Sequence, residues 1–124
     1  MAKILLADDD KEMRALYVKI LQDAGHTLDI VTDGKQALKK IYQGGYKLII
    51  LDVIMPQIDG LGVLHTLQKH PPKIKNGPIL LFTNLAEDPA VEKALTKGAS
   101  KVLVKTSLTP DEFVKEVNVL LGIK

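Results

Sequence analysis

The sequence of 124 residues contains no cysteine and no tryptophan, and only 4% of its residues are aromatic. The absence of cysteine excludes disulfides, thiolate catalysis and thiolate metal sites. No apolar run approaches the ~18 residues that a membrane span requires. The opening "MAK" is followed by only four apolar residues before an acidic run, so we expect no signal peptide. The net charge of +2 is too small to indicate a nucleic-acid or membrane-surface protein. We therefore expect one cytoplasmic domain over residues 1–124, with no direct nucleic-acid or membrane partner.

Five short apolar runs recur along the chain, at residues 4–7, 28–31, 48–51, 79–82 and 102–104. Four of them are continuous rather than alternating, which is typical of strands buried on both faces of a parallel sheet. Each run is followed by a segment with helical periodicity. The last segment is the best signalled, because Thr109-Pro110-Asp111-Glu112 combines a capping box with proline at the first helical position. The pattern predicts a doubly wound α/β domain with five parallel strands and five flanking helices.

Three features of the segments between the strands lead to expectations of their own. We expect Leu16 and Leu95 to belong to apolar helix stripes that face the core. The stretch "KHPPKIKNGP" at residues 69–78 is interpreted as a solvated loop. The three histidines (His26, His65 and His70) are scattered without ligand spacing and are interpreted as surface or loop residues.

Polar side chains follow four of the predicted strands, at the edge where doubly wound sheets bind ligands. Asp8-Asp9 follows the first strand, Asp52 the third, Thr83 the fourth and Lys105 the fifth. Three close carboxylates beside one lysine leave surplus negative charge, and like charges raise one another's pKa. A hard divalent cation resolves this repulsion, and oxygen-only ligands with room for water favour Mg²⁺.

Each aspartate taken singly has a simpler explanation as a turn former or helix cap. Asp10 is best explained in this way, as the cap or first residue of the first helix, and Thr32-Asp33 is typical of an ordinary helix start. The combination of Asp8, Asp9 and Asp52 with Lys105 at one sheet edge favours the metal site.

Four motifs in this order resemble the receiver domain of bacterial two-component response regulators. They are "ADDD", "DVIMPQIDG", "FTN" and "VLVK", and the resemblance covers essentially the whole chain. It implies a flavodoxin-like sheet with strand order 2-1-3-4-5. It also implies a signalling switch that takes a phosphoryl group from a sensor histidine kinase or phosphotransfer protein, rather than a turnover enzyme.

The resemblance also assigns roles to individual residues. Asp52 is the implied phosphoacceptor, and Lys105 and Thr83 are implied to contact the phosphoryl oxygens. Asp8 and Asp9 are the implied acidic pair that holds Mg²⁺. Asp9 and Asp52 would be direct ligands and Asp8 would act through water. The backbone carbonyl of Ile54 would complete the metal shell.

The sequence departs from the family's usual pattern at three positions. Thr106 follows Lys105 where the family has proline, often after a cis peptide bond, so that loop is expected to be either trans and rearranged or strained. Val102 replaces an aromatic residue of the fifth strand, which predicts that a signal travels by backbone movement or another side chain. Asn84 replaces a small residue and is expected to narrow access to Asp52.

Loop residues near the implied phosphoacceptor give two further expectations. Met55-Pro56 and Asp59-Gly60 are interpreted as shaping the loop that presents Asp52, with Gly60 supplying a positive φ angle. Ile54 and Leu85 occupy positions that orient water in the family, and neither apolar side chain can do so. We therefore expect slow self-dephosphorylation.

The chain ends at "LLGIK", directly after the last predicted helix. We therefore expect a stand-alone receiver whose output is contact with an unknown downstream protein, as a monomer or a phosphorylation-dependent dimer. Val114 and Val119 are candidate contact residues, although core packing explains them equally well. The open alternative is a receiver-like interaction module that is not phosphorylated. A flavin carrier is disfavoured, since consecutive aspartates after the first strand would repel its phosphate.

Overall fold

The computed structural model of the protein describes residues 2–84 and 89–123, with the backbone alone at residue 90. The strands are β1 (Lys3–Ala7), β2 (Thr27–Val31), β3 (Leu48–Leu51), β4 (Ile79–Thr83) and β5 (Lys101–Val104). The α-helices are α1 (Lys11–Asp23), α2 (Gly34–Gln43), α3 (Gly60–Lys69), α4 (Pro89–Glu92) and α5 (Pro110–Leu121). Two 3₁₀ segments, Lys93–Lys97 and Lys105–Ser107, follow α4 and β5. Each predicted strand is present within one residue of its predicted bounds.

All five strands are parallel and follow the order β2-β1-β3-β4-β5. The predicted fold class and strand order are therefore confirmed. The winding reverses between β1 and β3, because the chain moves outward from β1 to β2 and then returns to the other side. Ligands of such sheets bind beyond the carboxyl ends of the strands at this point.

Alternate residues of the central strands enter two separate cores, one on each face of the sheet. Leu5, Ile49 and Leu81 pack with buried residues of α2 and α3 on one face. Their neighbours along the strands pack with α1 and α5 on the other face. The continuous apolar runs follow from this arrangement, since both faces of β1, β3 and β4 are covered.

Side-chain caps begin four of the helices. Asp10, Asp33, Asp59 and Thr109 each accept a hydrogen bond from a backbone N–H of the first turn. Thr109 and Glu112 form the predicted capping box, with both reciprocal hydrogen bonds present. The interpretations of Asp10 as a cap and of Asp33 as a helix start are therefore confirmed.

The helix-stripe prediction is wrong at Leu16 and Leu95, whose side chains are 46% and 53% exposed. The described part of the fourth helical region is only four residues of α-helix, followed by a 3₁₀ segment that contains Leu95. A 3₁₀ helix has three residues per turn, so Ala94 lies on the same face as Val91, three residues earlier, and both are buried. Leu95 lies on the next face and is exposed to solvent.

A further correction concerns a loop residue. His26 lies in the turn between α1 and β2 as expected of a loop residue, but it is buried and not at the surface. Its Nδ1 accepts a hydrogen bond from the N–H of Ala2 at 3.3 Å.

Among the described residues, no helix has the length and apolarity needed to cross a bilayer.

Candidate functional site

The carboxyl ends of β1 and β3 bring Asp8 and Asp52 to the same rim of the sheet. The parallel ladder continues one step beyond each strand, because the Asp8 N–H donates to the Val31 carbonyl and the Asp52 N–H to the Ala7 carbonyl. Both aspartates are buried, at 1% and 8% exposure. Extended backbone at these positions therefore fixes two carboxylates beside each other at the winding reversal.

Lys105 joins the two carboxylates from the far side of β4. Its Nζ donates to Asp8 Oδ2 at 2.7 Å and to Asp52 Oδ2 at 2.8 Å. The ammonium is itself buried, and it lies 5.7 Å from the centre of the Phe82 ring, within the range of a cation–π interaction. A buried charge is tolerated when it is paired and hydrogen-bonded, and this arrangement satisfies both conditions.

The charges at the rim shift one another's protonation. Burial raises the pKa of Asp52, the hydrogen bond and charge of Lys105 oppose that shift, and the Asp8 charge adds to it. For Lys105, burial works to lower the pKa, but the hydrogen bonds to Asp52 and Asp8 outweigh burial and raise it. Lys105 therefore keeps its proton throughout the physiological pH range.

A third carboxylate completes an acidic cluster on this rim. Asp8, Asp9 and Asp52 each place one oxygen within 4.8 Å of the others. Asp9 is exposed and open to water, and it forms no hydrogen bond or ion pair with the described residues. Mg²⁺ binds carboxylate oxygens and retains several waters, so one exposed and two buried carboxylates fit this ion. Ile54 lies at the same edge with an exposed side chain, and its N–H donates to Asp52 Oδ1 at 3.4 Å.

The turn between β1 and α1 holds Asp8 through contacts that the sequence analysis missed. The Asp10 N–H donates to Asp8 Oδ1 at 2.9 Å, and the Arg14 guanidinium donates to the Asp8 carbonyl at 3.0 Å. Arg14 lies about one helical turn beyond Asp10, on the face of α1 that returns toward the rim. The only signal in the sequence was a lone arginine in the first helix after an acidic run.

The loop between β3 and α3 presents Asp52 through a tight backbone crossing. Gly60 lacks the positive φ angle expected of it, and the residue of this loop with positive φ is Gln57, at 68°. Glycine is needed at position 60 for a different reason, because a Cβ there would lie 2.3 Å from the Asp52 carbonyl oxygen. The Gly60 N–H also donates to the Val53 carbonyl at 2.8 Å, so the start of α3 packs directly on the segment that carries Asp52.

A family model described as the response regulator receiver domain matches residues 4–118. The chain belongs to the response regulator receiver family. Among curated proteins, the CpxR homolog of Haemophilus influenzae is 34% identical over 85% of this chain and 44% of its own length. SpaR of Bacillus subtilis is 37% identical over 85% of this chain and 46% of its own length. The chain thus spans about half the length of these two relatives, both named as transcriptional regulatory proteins.

Solved receiver structures have the same fold. The Francisella response regulator 1452 receiver domain is 29% identical, covers 98% of both chains and superposes with a TM-score of 0.85. A response regulator from Chloroflexus aurantiacus is 28% identical with the same coverage and a TM-score of 0.82. The predicted resemblance to receiver domains is therefore confirmed over nearly the whole chain.

The three departures from the receiver pattern lie around the rim. Thr106 follows Lys105 in a 3₁₀ turn, and the peptide bond between them is trans. Val102 is half-buried and packs against the core formed with α2 and α3. Asn84 is exposed beside the buried Thr83, and its expected effect on access to Asp52 stays a prediction. Leu85, one of the two residues expected to slow dephosphorylation, lies outside the described residues.

Aromatic side chains of this receiver are concentrated behind Lys105 and not in β5. Phe82 stacks on Phe113 with ring centres 4.8 Å apart, and Tyr17 meets both rings at 4.8 and 5.0 Å. These three rings join α1, β4 and α5 into one packed unit beneath the Lys105 ammonium. This cluster could not be predicted from the sequence, because its members are 65 and 31 residues apart along the chain.

Proposed function

We propose that Asp52 accepts a phosphoryl group from a phosphohistidine of a sensor histidine kinase or phosphotransfer protein, with Mg²⁺ bound by Asp8, Asp9 and Asp52. The observation that carries this proposal is the bridge from Lys105 to Asp8 and Asp52 beside the exposed Asp9. Receiver domains are signalling switches, so the expected outcome is a change of state and not turnover of a substrate.

In the transfer step an Asp52 carboxylate oxygen bonds to phosphorus while the bond from phosphorus to the imidazole nitrogen breaks. The electron pair of that bond returns to the imidazole. An anionic carboxylate repels an anionic phosphoryl group, so nearby positive charge must offset the repulsion. Lys105 supplies one such charge from 2.8 Å, and Thr83 at the end of β4 is proposed to hydrogen-bond to the new phosphoryl oxygens. Mg²⁺, when bound, would neutralise further charge on the phosphoryl oxygens. Its proposed direct ligands are Asp9, Asp52 and the Ile54 carbonyl, and Asp8 would act through water.

Signalling by this receiver is proposed to occur in the cytoplasm through protein–protein contact. Val119 on α5 is 69% exposed and is available to a partner, whereas Val114 is half-buried. The stand-alone arrangement and the choice between monomer and phosphorylation-dependent dimer stay predictions, as does slow loss of the phosphoryl group. Ile54 supports that last expectation, since its exposed apolar side chain beside Asp52 cannot orient an attacking water.

Intact-mass spectrometry tests the proposal. The protein is incubated with Mg²⁺ and acetyl phosphate beside an Asp52→Asn variant, which keeps the shape of the side chain. The proposal predicts gain of one phosphoryl group by the wild type and none by the variant. Absence of any gain from acetyl phosphate and from histidine kinases alike, with Mg²⁺ bound, would favour the receiver-like module that is not phosphorylated.

A further inference from the structure

A cleft of about 310 Å³ lies at the amino ends of β3 and β4, on the edge of the sheet opposite the acidic rim. Residues of α2, β3, α3 and β4 supply most of its apolar lining, namely Ile41, Ile49, Leu64, Leu67 and Ile79, and Pro72 of the loop after α3 adds to it. The volume equals that of about ten water molecules. Ligand pockets of proteins are typically apolar clefts of at least this size, with a few polar groups at fixed positions.

A second cavity of about 280 Å³ adjoins the cleft, because both are lined by Lys75, Asn76 and Gly77. These residues belong to the segment 69–78 that the sequence analysis interpreted as a solvated loop. Asn76 and Gly77 are instead half-buried. This part of the loop therefore forms a wall that the two cavities share.

The wall is held in place before any ligand binds. The Asn76 amide donates to the Ile41 carbonyl at 2.9 Å and accepts from the Tyr46 N–H at 3.1 Å. The Gly77 N–H donates to the Tyr46 carbonyl at 2.7 Å, and a Cβ at Gly77 would lie 1.9 Å from the Lys47 carbonyl oxygen. A preformed cleft binds at a lower entropic cost than a loop that must first become ordered.

The charge around the two spaces has one sign. Lys47, Lys75 and Lys97 line them, and neither lining contains an aspartate or glutamate. All three lysines are exposed, and within residues 2–84 and 89–123 none forms an ion pair with a carboxylate. An apolar floor beneath unpaired ammonium groups matches a ligand that has an apolar body and an anionic head.

We propose that this cleft binds a free organic anion of about ten non-hydrogen atoms, such as a medium-chain carboxylate. Its apolar chain packs on Leu67 and Ile79, and its carboxylate lies between Lys75 and Lys97. Burial of the chain supplies the main driving force, and the lysines select the anion over a neutral analogue. The inference is independent of phosphorylation, since no residue of the acidic rim lines the cleft.

The test uses ¹⁵N-labelled, unphosphorylated protein without Mg²⁺, titrated with octanoate and followed by amide chemical shifts. The proposal predicts saturable shifts centred on Leu67, Gly77, Ile79 and Gly98. Octanol, which lacks the charge, and acetate, which lacks the chain, should each bind at least several-fold more weakly. Absence of saturable shifts with octanoate, or shifts centred away from these residues, would overturn the proposal.

A pair of charge variants separates the cleft lysines from general surface charge. Lys75→Gln with Lys97→Gln should weaken octanoate binding about threefold to tenfold, because each exposed ion pair contributes modestly. Lys35→Gln with Lys115→Gln removes the same charge from exposed positions outside both cavities and should leave the affinity unchanged. Equal affinities in the two double variants would show that the lysines do not select the anion, and the proposal would fail.

Discussion

At the scale of single residues, the protein's chemistry depends on one lysine that satisfies two buried carboxylates. Lys105 Nζ lies within 2.8 Å of oxygens from both Asp8 and Asp52. In the same place it repels any cation that approaches those oxygens. The lysine thus stabilises the two buried carboxylates and the incoming phosphoryl group, while it weakens the binding of Mg²⁺.

Replacement of this lysine by an uncharged side chain of similar length should therefore tighten Mg²⁺ binding. We expect Lys105→Met to raise Mg²⁺ affinity about tenfold or more, because removal of a unit charge a few ångströms away exceeds ~1.4 kcal/mol even at high effective dielectric. Phosphorylation by acetyl phosphate should become slower in the same variant. Isothermal titration calorimetry measures the first effect, with Lys101→Met, at the start of β5 and away from the acidic rim, as a control. A weaker affinity in Lys105→Met than in the control would contradict the assigned electrostatics.

The residues at the strand ends could be predicted from the sequence, because β-strand periodicity and parallel connection place them on one rim without knowledge of packing. The contact of Arg14 with the Asp8 carbonyl could not be predicted from the sequence, since the rotation of α1 about its axis depends on tertiary packing. The same limit explains Leu16, which belongs to the apolar stripe by spacing but lies on its solvent side.

At the scale of elements, the backbone at the start of α3 packs directly against the backbone of Asp52, so the position of the helix helps to set the position of Asp52. The sequence predicted that Gly60 matters but gave the wrong reason. A positive φ angle can be suspected from a glycine in a loop, whereas a 2.3 Å approach to the Asp52 carbonyl requires the folded backbone.

Alanine at position 60 should destabilise the protein by about 1–3 kcal/mol, because the new Cβ must displace backbone and not a flexible side chain. Gly62→Ala in the same helix is the matched control, since its Cβ would meet side-chain atoms and no backbone: Ile58 Cγ2 at 2.8 Å and Asp59 Oδ1 at 3.4 Å. Urea denaturation gives both free energies of unfolding. A Gly60→Ala variant as stable as Gly62→Ala would mean that the backbone crossing is not as close as described.

The capping box of α5 gives the protein a pH-dependent contribution to stability. Hydrogen bonds from the Thr109 backbone and side chain lower the pKa of Glu112 in the folded state. The contribution is therefore fully present above the ordinary glutamate pKa of about 4.3 and is lost as the pH falls through the lower, folded value.

We expect Glu112→Gln to remove this part of the pH dependence, because glutamine keeps an acceptor for the Thr109 N–H but does not titrate. Chemical denaturation at a series of pH values from neutral into the acidic range measures the effect. The difference in unfolding free energy between wild type and variant should shrink as the pH falls. A difference that stays constant or widens at low pH would contradict the assignment.

At the scale of the whole molecule, the fold class and strand order followed from the order of strands and helices and from the family resemblance. The distribution of residues between two cores also followed from the continuous apolar runs. The sequence did not predict the buried position of His26 or the cleft beside the segment 69–78. Both depend on contacts between elements that are distant in the chain.

Because the three carboxylates come from two segments, Mg²⁺ bound between them should stabilise the entire domain. At a concentration one hundred times the dissociation constant, the gain is about 2.7 kcal/mol, which corresponds to an increase of about ten degrees in Tm. Differential scanning calorimetry with and without Mg²⁺, at matched ionic strength, measures it. Asp9→Asn should fold normally, because Asp9 is exposed, and should lose most of the gain. An equal gain in that variant would exclude Asp9 from the site.

The most direct test of the central claim is to locate the phosphoryl group on the chain. Protein treated with acetyl phosphate and Mg²⁺ is reduced with borohydride, which converts an aspartyl phosphate to homoserine, and is then digested for peptide mass spectrometry. We predict that a single residue, Asp52, is converted in the wild type. In the Asp52→Asn variant, which keeps Lys105, we predict no conversion. Conversion at Asp8 or Asp9, or at Asp52 and these positions equally, would contradict the assignment of Asp52 as the phosphoacceptor.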